Sequence, residues 1–118
     1  MTKLSKIEQV LDTLRGVDGS YGSVLVSDDG MIIASRLDKR FAADKVSALA
    51  SNLITSLKKV ITELQFGEPK TLLVEGTDGK VSIIEAPGGG MFILLIGSKD
   101  MNLGMARIAL KEAMDEMT

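Results

Sequence analysis

The residue types that most often do chemistry are sparse in this chain. Histidine and cysteine are both absent. Without imidazole there is no side chain whose unperturbed pKa lies near neutrality and the commonest metal ligand is missing, and without cysteine there are no disulfides and no thiolate chemistry. Ser-His and Cys-His hydrolytic machinery is therefore excluded. Asp28 and Asp29 are adjacent carboxylates of the kind that share a proton or hold a divalent ion in a dry pocket. Placed before Gly30, however, they read as a tight turn. Gly88, Gly89 and Gly90 invite comparison with a phosphate cradle, but no Lys-Ser or Lys-Thr follows and a strand comes next. Gly76 to Lys80 has a nucleotide-loop composition and also falls between two strands, as a hairpin turn. Glu85 stands among apolar strand residues without a second titrating group to work with. Lys58 and Lys59 suit an acidic partner or, more simply, a solvated helix end. No enzyme, cofactor or metal site follows from this set.

The elements that would position these residues are easier to read. The 118 residues, with a formal net charge of −2, suit one domain over 1–118 that buries about two-thirds of its unfolded surface. Charges of both signs are interspersed, so no nucleic-acid partner is expected. The basic N-terminus lacks an apolar h-region, and the longest apolar run, Met91 to Ile96, is too short to span a bilayer. A cytoplasmic protein without membrane insertion is expected.

A first helix over residues 3–15 places Leu4, Ile7, Val10, Leu11 and Leu14 on one face, with Thr2 or Ser5 as its cap. Ser23–Ser27 and Met31–Ser35 form a hairpin across Asp28-Asp29-Gly30. A long helix follows over 42–66, closed by Gly67 and barred from continuing by Pro69. Lys70–Glu75, Lys80–Ala86 and Met91–Ile96 make a meander, with Pro87 and the three glycines in its last turn. A final helix near 103–117 turns Leu103, Ala106, Leu110, Ala113, Met114 and Met117 inward, capped by Asn102 or Asp100. The order is α-β-β-α-β-β-β-α. Met91–Ile96, Val24–Val26 and Met31–Ala34 do not alternate, so both faces of these strands should be covered. The expected fold is α+β: a five-stranded antiparallel sheet with the long helix on one face and both terminal helices on the other. Lys70–Glu75 carries Lys, Thr and Glu and belongs at an edge, where an unpaired strand is a template for a second chain.

The long helix is the unusual element. Val46, Leu49, Leu53, Leu57, Val60 and Leu64 form a stripe taken to face the core, widened by Ala50, Ile54 and Ile61. No charge occurs from Ser47 to Leu57, and the back carries Ser47, Ser51 and Thr55 on one ridge. A helix with an apolar front and a small uncharged back is expected to be covered on both sides, the second cover being another protein.

This pattern resembles the roadblock/dynein light-chain family. The resemblance rests on the element order, on Gly22 to Ser35 (GSVLVSDDGMIIAS), and on the helix from Asp44 to Ser51. Gly67-Glu68 before a strand, Glu75-Gly76 before a hairpin and Leu103-Gly104-x-x-Arg107 add to it, and together they span nearly all of residues 4–117. It implies a profilin-like fold and a homodimer in which the third strand pairs with its mate and the long helices lie antiparallel. Many prokaryotic members resemble the regulator of a small Ras-like GTPase, for which the paired helices form a docking platform.

Carried onto this chain, the resemblance places the mate or the GTPase against Ser47, Ala50, Ser51, Ile54, Thr55 and Lys58, and the mate against Thr71, Leu72, Leu73, Val74 and Glu75. No arginine lies on the long helix to act in trans, although Arg36 and Arg40 precede it. Action by shifting the GTPase's switch loops is expected. The alternatives are a structural adaptor or scaffold without effect on nucleotide turnover, and a small-molecule sensor, for which no converging polar set is present.

Overall fold

The computed structural model describes residues 3–86 and 88–117. The caps expected at Thr2 or Ser5, the inward Leu4 and Met117, and the turn residue Pro87 lie outside the described residues and side chains. The elements are α1 (Lys3–Arg15), β1 (Ser20–Ser27), β2 (Ile32–Leu37), α2 (Ala43–Glu63), β3 (Thr71–Glu75), β4 (Gly79–Glu85), β5 (Met91–Ser98) and α3 (Leu103–Met117). This is the expected order. All strand pairs are antiparallel, in the sheet order β2-β1-β5-β4-β3.

The centre of the sheet explains the longest apolar run. β5 lies between β1 and β4, and its side chains alternate between two cores. Ile93 and Leu95 join Val10, Leu11 and Leu14 of α1 and Ala106 and Leu110 of α3. Phe92 and Leu94 join Ala50 and Ile54 of α2, with Val24, Val26 and Ile83. A strand buried on both faces needs apolar residues on both, and β5 supplies them from Met91 to Ile96. The α3 cap is Asn102, whose side-chain oxygen accepts the Met105 N–H at 3.0 Å.

The expectation for Met31–Ala34 holds in part. Helices cover both faces of β2, α1 on one and α2 on the other, but the run opens an edge strand, and Met31 and Ile33 remain exposed. The register shifts opposite Leu25 and Val26, leaving Ile33 without a partner on β1. That bulge reverses the alternation, so Ile32 packs toward α2 and Ala34 toward α1 and α3.

Gly22 is the other position where the edge pair is tight. At φ +129, a Cβ there would overlap the Arg36 carbonyl, so β1 and β2 approach more closely than a side chain would allow.

Candidate docking surface

Helix α2 is fastened on one flank by the β1–β2 turn. Ser47 is buried, and its hydroxyl donates to the Gly30 carbonyl at 2.7 Å. Gly30 has φ +92, and a Cβ there would lie 3.0 Å from the Ser51 Cβ. The small side chains of α2 and the missing one on Gly30 together let the turn sit against the helix. Two turns further on, the Lys58 ammonium reaches Asp28 at 2.6 Å. Within the same turn Asp29 accepts from the Ser27 hydroxyl, and this hydrogen bond holds its carboxyl below the ordinary aspartate range.

These contacts fix which side of α2 is inside. Its buried residues are Ser47, Ala50 and Ile54. The expected stripe does not form the inner face: Leu49, Val60 and Leu64 are each more than half exposed, while Val46 and Leu53 are half-buried. At 3.6 residues per turn the exposed stripe lies roughly 100° round the helix from the buried line. The small-residue ridge is also divided. Ser47 is inside and Ser51 is half-buried, whereas Thr55 is exposed and donates back to the Ser51 carbonyl at 2.9 Å. The physical reason is that close approach by the turn selects small residues, so the bulky ones are rotated outward.

Beside the exposed stripe runs an apolar groove of about 340 Å³ between α2 and the sheet, lined by Tyr21, Phe41, Val46, Leu53, Val81 and Ile96 among others. Tyr21 and Phe41 stack with ring centroids 5.7 Å apart, and the Arg40 guanidinium lies 3.7 Å from the Tyr21 ring centroid. These aromatic residues at the mouth were not singled out by sequence pattern. Their signal is faint, since the chain has one Tyr and three Phe.

The sheet ends in β3 on this side, with no strand beyond it among the described residues. Its register with β4 is regular from Thr71 opposite Ile84 to Glu75 opposite Lys80. Thr71 and Leu72 are half-buried, while Leu73, Val74 and Glu75 are exposed. Apolar side chains on an unpaired, unbulged edge are what a second strand would cover. Of the predicted site residues, then, Leu73, Val74, Glu75 and Thr55 lie on the surface. Ser51, Lys58, Thr71 and Leu72 lie at its margin, and Ser47, Ala50 and Ile54 lie within the protomer.

The candidates for chemistry stay apart. Gly88, Gly89 and Gly90 all have positive φ and form an open loop before β5. Glu85 is half-buried at the end of β4, opposite Phe92 of β5. Among the described residues no group of acidic side chains is arranged to hold a metal ion, and no helix is long and apolar enough to cross a membrane.

Comparison with known proteins converges on one family. The model of the Roadblock/LC7 domain matches residues 6–96. The uncharacterized protein MJ0714 of Methanocaldococcus jannaschii is 34% identical over 113 residues, covering 96% of this chain and 94% of its own. Myxococcus xanthus MglB superposes with a TM-score of 0.89 at 19% identity, over 100% of this chain and 89% of that one. Profilin II of Acanthamoeba castellanii superposes with a TM-score of 0.62 at 12% identity, over 94% and 92% of the two chains. At such low identities the two structures speak to fold, which is profilin-like.

Proposed function

The chain belongs to the Roadblock/LC7 family, and from that premise we propose that it is a homodimeric, non-enzymatic regulator and docking platform for a Ras-like small GTPase. The observation that carries this reading is the uncovered apolar surface formed by the outer stripe of α2 and the free edge of β3. Leu49, Val60 and Leu64 on the helix and Leu73 and Val74 on the strand are all exposed. Val74 lies on the α2 face of the sheet and Leu73 on the opposite face of the same edge. Apolar side chains left open along a helix and along a free sheet edge suit a protein interface better than solvent. In this reading the mate pairs with Thr71–Glu75 and covers the α2 stripe. Antiparallel addition of β3 to its copy is an isologous contact that closes at two subunits.

The opposite flank of α2 then remains for the GTPase. Thr55 is exposed there, and Lys58 and Asp28 keep 40% and 43% of their side-chain surface. Ser47, Ala50 and Ile54 serve by fixing the helix rather than by touching either partner. No arginine is available on α2, so the effect on nucleotide turnover is a bias on the GTPase's own switch loops, arising from differential affinity for their two arrangements. The expected setting is the cytoplasm.

The test is single-turnover GTP hydrolysis by the Ras-like GTPase encoded nearest to this gene, with and without the protein, alongside a binding titration. Acceleration supports the regulator. Binding without acceleration makes the protein a scaffold subunit. Absence of binding rejects the GTPase as partner.

A further inference from the structure

Among the described residues the most exposed large apolar side chain is Phe66, at 70%. It does not follow from a frayed helix end. The Phe66 N–H donates to the Ile61 carbonyl at 2.9 Å and the Gln65 N–H to the Thr62 carbonyl at 3.0 Å, the paired closure that fixes where a helix stops. The residue that turns the chain is Gln65 at φ 59, the one non-glycine with positive φ among the described residues. Gly67, two positions on, would adopt such a conformation without penalty. The helix instead stops early, through a residue that resists the turn, and this sets Phe66 on the outside of the closure.

The spacing of the exposed stripe says where a second copy would place that ring. The exposed Leu49, Val60 and Leu64, with the half-buried Leu53, are spaced symmetrically about a point between Ser56 and Leu57. An antiparallel copy therefore sets Leu49 opposite the partner's Leu64 and Leu53 opposite the partner's Val60, and repeats both contacts by symmetry. In that register the partner's Phe66 arrives over the first turns of α2, beside Val46. This is the end of the helix at which the apolar groove lies. Lys80 lines the same groove, but its ammonium is already engaged by the Met101 carbonyl at 3.0 Å.

We propose that each groove is the seat of the partner's Phe66, so that two aromatic anchors are exchanged reciprocally across the dimer. The inference rests on the dimer reading above and goes further by naming the side chain that fills the groove. Buried aromatic anchors in apolar pockets dominate many interfaces, and truncating one weakens binding by tenfold or more.

The experiment uses sedimentation equilibrium on the intact chain, with Phe66→Ala, together with fluorescence of Phe66→Trp. The protein has no tryptophan, so the introduced indole is the sole reporter. Phe66→Ala should keep the wild-type circular dichroism and weaken self-association at least about tenfold. The indole should emit at short wavelength when associated and shift to the red on dilution. A wild-type dimer whose affinity is unchanged by Phe66→Ala, with the indole solvent-like at every concentration, overturns the anchor and leaves the dimer standing. A wild-type monomer overturns both. Should Phe66→Ala misfold, the emission of Phe66→Trp decides alone.

Discussion

The two edges of the sheet are built in opposite ways. On β2 the bulge at Ile33 interrupts the ladder, and Arg36 ties the strand to α1 through Glu8 at 2.9 Å and Asp12 at 3.0 Å. On β3 the ladder is regular and the outward residues include Leu73 and Val74. Bulges, charges and a covering helix are the devices by which edges avoid pairing. The β2 edge carries a bulge and a tied charge, whereas β3 has charges only at its ends, Lys70 and Glu75, and no bulge. The difference teaches that exposure alone is a poor guide to an interface, since Met31 is more exposed than Leu73 and Ile33 about as exposed as Val74. What separates the edges is whether a second strand could continue the ladder.

Breaking the guarded edge should cost the most. Gly22→Val introduces branched bulk where even a Cβ meets the Arg36 carbonyl, and a loss on the order of 3 kcal/mol in chemical denaturation is expected from strain and overpacking together. A charge on the open edge should act on association instead. Leu73→Lys is expected to weaken self-association about tenfold or more in sedimentation while the fold persists, because like charges then face one another across the twofold. Ile33→Lys, the matching change on the bulged edge, should leave the mass distribution as it was.

Smaller changes sharpen the contrast. Arg36→Ala removes both ties to α1 and should lower stability by about 1 kcal/mol, less in high salt, since these pairs are largely exposed. The weakest effect belongs to Asp29 in the β1–β2 turn. Its depressed carboxyl pKa makes a contribution that is present above the ordinary aspartate value and is lost as pH falls through the lowered one. Asp29→Asn should abolish that acid-side dependence, measured as unfolding midpoints across the acid limb.

Much of the fold was legible because it follows from periodicity. The unbroken apolar run of β5 announces a central strand, and Lys70–Glu75 announces an edge. The orientation of α2 was not legible in the same way. Both of its sides lack charge between Ser47 and Leu57, so the hydrophobic pattern points to the bulky stripe as the core side. Only the approach of Gly30 to Ser47 and Ser51 reverses that choice, and this contact joins residues far apart in the chain. The stop at Gln65 was hidden for a related reason. Gly67 is the better local signal, and a glutamine in a left-handed turn is tolerated only when its surroundings impose it. The bulge at Ile33 is likewise set by the partner strand, and it leaves Ile33 exposed between two packed neighbours.

The central claim is that the apolar flank of α2 and the free edge of β3 are covered by a second copy of the chain. Sedimentation equilibrium of the wild-type protein at micromolar concentration tests it most directly. A mass near twice 12.6 kDa is the result predicted, and a species of 12.6 kDa at those concentrations would contradict it.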